Sequence, residues 1–216
     1  MLEVVGISKK YDKASAVEDV SFTLPEGTIG ILQGPDGAGK STVLKSIAGL
    51  VRYQGQIRIQ GMDAGELEAK KRFAYVPEVP SLYEALTVKE HLEFMEMAYG
   101  VQADPEEKLA LLRRFGLDDK QDRMANDLPK DMMQKVSICC SLIVKPQLLL
   151  LDEPMAGLEP AAIKELQQII LELKQKGTTV LICTGMPEMV QELWDITFVM
   201  DNGRLLETYS REAAED

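Results

Sequence analysis

The sequence predicts an α/β fold, with a phosphate-loop core, an antiparallel β subdomain on its N-terminal side and a helical insertion at about 86–145. Three observations predict it. Continuous apolar runs at 28–32, 147–151 and 178–183 alternate with helical patterns, as in a mostly parallel sheet covered on both faces. The first of these runs feeds a G-x-x-x-x-G-K-S stretch, after which Val43, Leu44, Ile47 and Leu50 recur at helical spacing. Between residues 86 and 145 the buried-strand signature is absent and helix start and stop signals replace it. The chain of 216 residues is expected to form a single domain, residues 1–216.

Taken in order, Leu2–Ile7 and Val17–Leu24 read as strands around a polar turn at Tyr11 to Ala14. The run 28–32 is a short buried strand, and the helix after the glycine loop extends to about Leu50. Gly55–Gly61 alternates between glycines and reads as another antiparallel strand, and Phe73–Val76 is a short strand closed by Pro77. A helix is predicted over Thr87–Tyr99, with Thr87 as N-cap and Glu90 completing a capping box. Pro105 opens a second helix to about Phe115, where Gly116 stops it; a polar stretch, 118–127, leads to a third near Asp131–Val144. The run 147–151 is a buried strand, and Pro160 and Gly177 bracket a helix over Ala161–Lys176. Thr178–Cys183 is a strand and Glu188–Trp194 a short helix. Ile196–Met200 and Arg204–Thr208 form a hairpin around Asn202-Gly203.

Composition narrows the function. Apolar residues make up 45% and charged residues 27%, ordinary for a globular chain. The net charge of −11 argues against nucleic acid as a partner, since phosphate backbones reward Lys and Arg. Lys9, Lys10 and Lys13, and Lys70, Lys71 and Arg72, read as solvated surface, and the acidic tail from Arg211 is expected to fray into solvent. The three cysteines, Cys139, Cys140 and Cys183, sit in apolar runs with no C-x-x-C pair, which fits a reduced cytosolic interior. No signal peptide and no run near ~18 apolar residues is read, so attachment to a membrane is expected to go through another chain.

The chemistry is carried by Gly34-Pro35-Asp36-Gly37-Ala38-Gly39-Lys40-Ser41, with Thr42 next. Glycines let the backbone curl until several N–H groups point inward, and the helix N-terminus adds partial positive charge, making a cradle for a polyphosphate. Lys40 can reach the terminal phosphates, and Ser41 can hold Mg²⁺. The strand 148–151 then ends in Asp152-Glu153-Pro154, which puts two carboxylates at the sheet edge where α/β folds bind ligands. Asp152 is a candidate Mg²⁺ ligand, and Glu153 is placed to orient or deprotonate a water aimed at the γ-phosphate. The ligand implied is a nucleoside triphosphate with Mg²⁺ on a P-loop NTPase core.

On these residues the chain resembles the ATP-binding subunit of an ABC transporter over essentially its whole length, with wording similar to bacterial export-type subunits. The resemblance implies an ATPase and makes the triphosphate ATP. It implies adenine stacking for Tyr11 and a dimer-contact loop for Gly157, Leu158 and Glu159, with Glu where Asp is usual. Tyr83–Leu92 in the insertion is similar to the segment that touches an integral membrane permease. A second ATP-binding subunit, identical or not, would close head-to-tail on this one. The resemblance places the chain in the cytoplasm, peripheral at the inner face of the cell membrane.

Four positions depart from the family. Glu78 stands where Gln is usual, still able to serve Mg²⁺ or water. The signature loop, commonly L-S-G-G-Q, reads Leu128-Pro129-Lys130-Asp131-Met132. Pro129 has neither hydroxyl nor N–H, and Asp131 puts negative charge where a partner's phosphate would arrive and is expected to cap its own helix. Gly185 stands at the switch position, where a His is usual, and the one histidine, His91, is read as a surface or helix-face residue. Glu159 is the fourth. The expectation is tight MgATP binding with slow hydrolysis in a self-paired dimer. The alternative is a regulatory module whose output is ATP-driven dimerisation and whose hydrolysis is vestigial.

Overall fold

The structure, a computed structural model, describes residues 1–12 and 14–211. The roles expected of Lys13 and of the tail after Arg211 lie outside the described residues.

Two sheets, with helices on both faces of the second, build the fold. The first sheet is antiparallel, formed by β1 (Leu2–Tyr11), β2 (Ala14–Leu24), β4 (Gln54–Ile59) and the two-residue β5 (Met62–Asp63), in the order β2-β1-β4-β5. The second contains β3 (Ile29–Gln33), β6 (Phe73–Val76), β7 (Leu148–Asp152), β8 (Thr179–Thr184), β9 (Ile196–Asp201) and β10 (Arg204–Ser210), in the order β10-β9-β3-β8-β7-β6. Its pairs are parallel except for β10, which turns back on β9. The helices are α1 (Lys40–Ile47), α2 (Leu67–Lys70), α3 (Val88–Tyr99), α4 (Pro105–Arg114), α5 (Lys130–Ile143) and α6 (Pro160–Gln175).

Why the central strands read as unbroken apolar runs is visible in the packing. Leu148 and Leu150 face Val43, Leu44 and Ile47 of α1 and the inner face of the antiparallel sheet. Leu149 and Leu151 face the other way, into a cluster with Val136, Cys139 and Ile143 of α5 and Leu166 and Ile170 of α6. Side chains alternate across a strand, so a strand covered on both faces needs apolar residues at every position. Leu150 is fully buried, and truncating it to Ala would cost about 2–5 kcal/mol. All three cysteines are buried free thiols.

The predicted ends of several elements recur. In α3, Thr87 Oγ1 accepts the Glu90 N–H at 3.2 Å while Glu90 Oε2 accepts the Thr87 N–H at 2.8 Å, a complete capping box. Asn202 and Gly203 both have positive φ, 45° and 77°, as a type I′ hairpin turn requires. Strand β1 runs on to Tyr11, past its predicted end at Ile7.

Three expectations are corrected. Glu188–Trp194 is not a helix: a 3-10 turn over Pro187–Met189 is followed by further turns, with N–H bonds from Val190 to Pro187 and from Leu193 to Val190. A segment that short does not repay helix nucleation, and i→i−3 turns already bury Val190 and Leu193. His91 is not at the surface but 3% exposed: its Nε2 accepts the Tyr83 N–H at 2.9 Å and its Nδ1–H donates to the Thr87 carbonyl at 2.7 Å. Asp131 does not cap α5; the N-cap is Pro129, with no side-chain bond, and Asp131 lies within the first turn. Sequence periodicity also missed β5 and α2, both too short to show a repeat.

Candidate nucleotide site

The glycine loop is wedged between two strands, which explains two of its glycines. A Cβ on Gly34 would lie 2.1 Å from the Met200 carbonyl oxygen of β9, and one on Gly39 would lie 2.4 Å from the Ala16 oxygen of β2. Both also have positive φ, 156° and 98°, so only glycine meets the backbone and steric demands together. The tip of the β9–β10 hairpin braces the loop from below: Gly203 N–H donates to the Ala38 carbonyl at 3.1 Å, and Gly203 O accepts the Glu18 N–H at 2.8 Å.

Lys40, the first residue of α1, is 6% exposed. Its ammonium donates to the carbonyls of Gly34 at 2.7 Å and Pro35 at 3.1 Å, and stands 3.9 Å from Glu153 Oε1. Ser41 Oγ donates to Asp152 Oδ1 at 2.8 Å. Asp152 is fully buried at the end of β7, on the face shared by Leu148 and Leu150, which is the face that α1 covers. The Tyr75 phenol donates to its second oxygen at 3.1 Å. Burial and the Asp152 charge push the Tyr75 hydroxyl well above its ordinary value, so it remains a donor.

Glu153 has φ of +43°, a conformation a non-glycine residue holds only under constraint. The constraint is visible: its N–H donates to the Cys183 carbonyl at 2.9 Å, and its Oε1 accepts the Gly185 N–H at 2.7 Å. Burial pushes the Glu153 carboxyl up from its ordinary value, opposed by the Gly185 N–H and the Lys40 charge. A carboxylate raised in this way is a stronger base than a solvated one.

A cleft of ≈ 760 Å³ gathers most of the predicted site. Tyr11, Asp36, Gly37, Ala38, Gly39, Lys40, Ser41, Thr42, Glu78, Glu153 and Gly185 all line it. Gly34 and Pro35 act beneath it through their carbonyls, and Asp152 stands behind Ser41. Tyr11 stands at the rim, 45% exposed.

The signature and contact residues are elsewhere: none of Leu128, Pro129, Lys130, Asp131, Met132, Gly157, Leu158 and Glu159 lines the cleft. Leu128 and Leu158 are buried, while Pro129, Lys130, Gly157 and Glu159 are exposed. Glu159 accepts from the buried Lys135 ammonium of α5 at 2.6 Å, which ties the two segments together. Sequence reasoning missed Tyr75 and Lys135. The β6–β7 register, which sets Tyr75 opposite Leu150, is what puts that phenol on the Asp152 side, and spacing alone does not give it.

Comparisons with known proteins agree with this geometry. A family model described as ABC transporter matches residues 17–156. The ABC-type transporter ATP-binding protein EcsA of Bacillus subtilis is 35% identical over 210 residues, covering 95% of this chain and 85% of that protein. The fluoroquinolones export ATP-binding protein of Mycobacterium tuberculosis is 36% identical over 213 residues, covering 95% and 69%. A solved structure of the ATP binding subunit of an ABC transporter superposes with a TM-score of 0.90 at 36% identity, covering 99% of this chain and 91% of that one.

Proposed function

The chain belongs to the ABC transporter family as an ATP-binding, ATPase subunit, and from that premise we propose that it couples MgATP binding and slow hydrolysis to an integral membrane permease of export type. The observation that carries the reading is the single cleft joining the glycine loop and Lys40 to Glu153, with Asp152 held on Ser41 behind it. Among the described residues no helix is long and apolar enough to cross a membrane, which suits a subunit docked on a separate permease at the inner face of the cell membrane. The single-domain reading, residues 1–216, and the head-to-tail partner, a second copy or a related subunit, belong to the same proposal. Relatives named for export support the direction of transport.

Each residue has a task in this reading. The loop N–H groups and the α1 N-terminus hold the phosphates, and Tyr11 stacks on the base. Lys40 trades two neutral carbonyls for anionic phosphate oxygens, since a bond between two opposite charges is the stronger one. The Ser41 hydroxyl and Asp152 carboxylate are hard oxygen donors in direct contact, a pair that fits Mg²⁺, with Glu78 on the same cleft. Mg²⁺ bound there would neutralise charge on the phosphate oxygens. Glu153, held by the Gly185 N–H and raised by burial, takes the proton of the attacking water. Gly185 offers no side chain toward the reacting phosphate, and the stretch 128–132 offers a partner few donors, so turnover in a self-paired dimer is slow.

Single-turnover hydrolysis decides it. We expect slow conversion of bound MgATP that Glu153→Gln abolishes; turnover at an ordinary transporter ATPase rate would overturn the assignment of weakened positions. Gly185, which sets no side chain beside Glu153, favours a second reading, a module whose output is ATP-driven dimerisation. Magnesium-dependent dimers with no Glu153-dependent turnover would select it.

A further inference from the structure

Strand β1 outruns one of its neighbours. On the β2 side it stays paired to the end, Lys9 opposite Val17, Lys10 opposite Ser15 and Tyr11 opposite Ala14. On the β4 side pairing stops at Ser8 opposite Gln54. The edge of β1 beyond Ser8 therefore faces the approach to β4, Arg52 and Tyr53, across a cleft of ≈ 330 Å³. The six residues lining it are Ser8, Lys9, Lys10, Arg52, Tyr53 and Gln54. All six can donate a hydrogen bond, three carry positive charge, and none is acidic, in a chain of net charge −11.

We propose that this cleft is a second anion site, distinct from the phosphate loop, which takes a phosphate-bearing ligand. None of Lys9, Lys10 and Arg52 forms an ion pair among the described residues, so a phosphoryl group would not have to displace a carboxylate. Arg presents a planar fork and Lys a point charge, the pair of donors phosphate recognition favours. The Ser8 hydroxyl accepts the Asp19 N–H at 2.9 Å, which leaves its own proton free to donate. Burial and the nearby Asp63 push the Tyr53 phenol up, so it too remains a donor. A volume of ≈ 330 Å³ has room for a diphosphate or a compact phosphate ester.

The site also touches the nucleotide cleft. Lys9 Nζ lies 4.8 Å from the centroid of the Tyr11 ring, and Tyr11 lines the larger cleft. An anion that draws Lys9 off the ring removes a cation–π contact from the residue proposed to stack on the base. Occupancy of one cleft therefore biases the other.

The test uses inorganic pyrophosphate on Lys40→Ala protein, in which the phosphate loop lacks its lysine, followed by calorimetry. We expect saturable binding that the added pair Lys10→Gln and Arg52→Gln weakens at least about tenfold. A parallel flotation assay uses phosphatidylcholine vesicles with and without phosphatidylserine. A response confined to the anionic vesicles would keep the site and identify its phosphoryl group as a lipid headgroup. If neither probe distinguishes Lys40→Ala from the triple variant, the site does not exist. Lys10→Gln with Arg52→Gln in the parent protein is expected to keep its MgATP affinity, so failure here leaves the proposed function standing.

Discussion

The starts of helices α1 and α5 make an instructive pair. Each follows a loop, each begins with a lysine, and in the resemblance each meets a phosphate, one from its own subunit and one from a partner. At α1 the preceding residue is Gly39 in a left-handed conformation, the loop is glycine-rich, and the residue after Lys40 is a serine bonded to Asp152. At α5 the preceding residue is Pro129, which has no N–H, and the residue after Lys130 is Asp131. A helix N-terminus carries about half a positive charge whatever its sequence. What differs is whether the loop leaves N–H groups free for a ligand or sets a ring and a carboxylate in its path. Dipoles are general; in the proposed reading the flanking residues decide which start holds an anion.

The largest effect that would sharpen this contrast lies at the α1 side. Glu153→Gln should lower single-turnover hydrolysis by about 10²–10⁴-fold while leaving MgATP affinity within about threefold, because a lost general base costs rate and not binding. The pH profile of the parent carries the same information. The Glu153 carboxyl is raised by burial, and the base must be deprotonated, so the rate should fall as pH drops through a value above the ordinary carboxylate range. An acid limb at or below that range would break the assignment. Next in size is Lys40→Ala. It removes the one charged donor inside the loop and should weaken MgATP binding about a hundredfold or more by calorimetry, about 2.7 kcal/mol.

How much of this could be read from residues alone follows the same divide. The loop 34–41, the run 148–151 into Asp152, the cap at Thr87 and the proline that opens α4 are local patterns, and they predicted local structure because neighbours in sequence make the contacts. The corrections and omissions are cases where contacts outside any spacing rule decide. His91 is buried because its ring bridges Tyr83 and Thr87 in the segment leading into α3. Tyr75 reaches Asp152 only through the parallel register of β6 and β7. Lys135 meets Glu159 across the start of α6, a contact no spacing rule encodes. Glu188–Trp194 carries helix-forming residues, yet the burial of Val190 and Leu193 in successive turns prevails.

An intermediate effect would try to erase the contrast. Pro129→Ser with Asp131→Gly returns a hydroxyl, an N–H and a first turn without negative charge to α5. In a self-paired dimer this should raise steady-state turnover by about 10²-fold at most, since one stabilising donor set is worth that order, and increase the dimer fraction with MgATP on a sizing column. Unchanged turnover and unchanged dimerisation would mean that the chemistry of this loop does not limit the subunit.

The smallest effect separates stability from ligand binding at helix starts. Helix α3 begins with a closed capping box, so Thr87→Ala removes the Oγ1 bond to Glu90 N–H and also the Thr87 hydroxyl bond to Glu90 Oε2 at 2.8 Å. The expected loss is about 1 kcal/mol, or a fall in Tm of about 2–4 °C for a chain of this size. Helix α5 has no cap bond to lose, so Pro129→Ala should shift stability by no more than about 0.5 kcal/mol. Thermal melts of the two variants side by side give the answer. A larger fall for Pro129→Ala than for Thr87→Ala would mean that the proline carries packing energy at the start of α5, and that its presence there reflects the fold of that loop more than the exclusion of a phosphate.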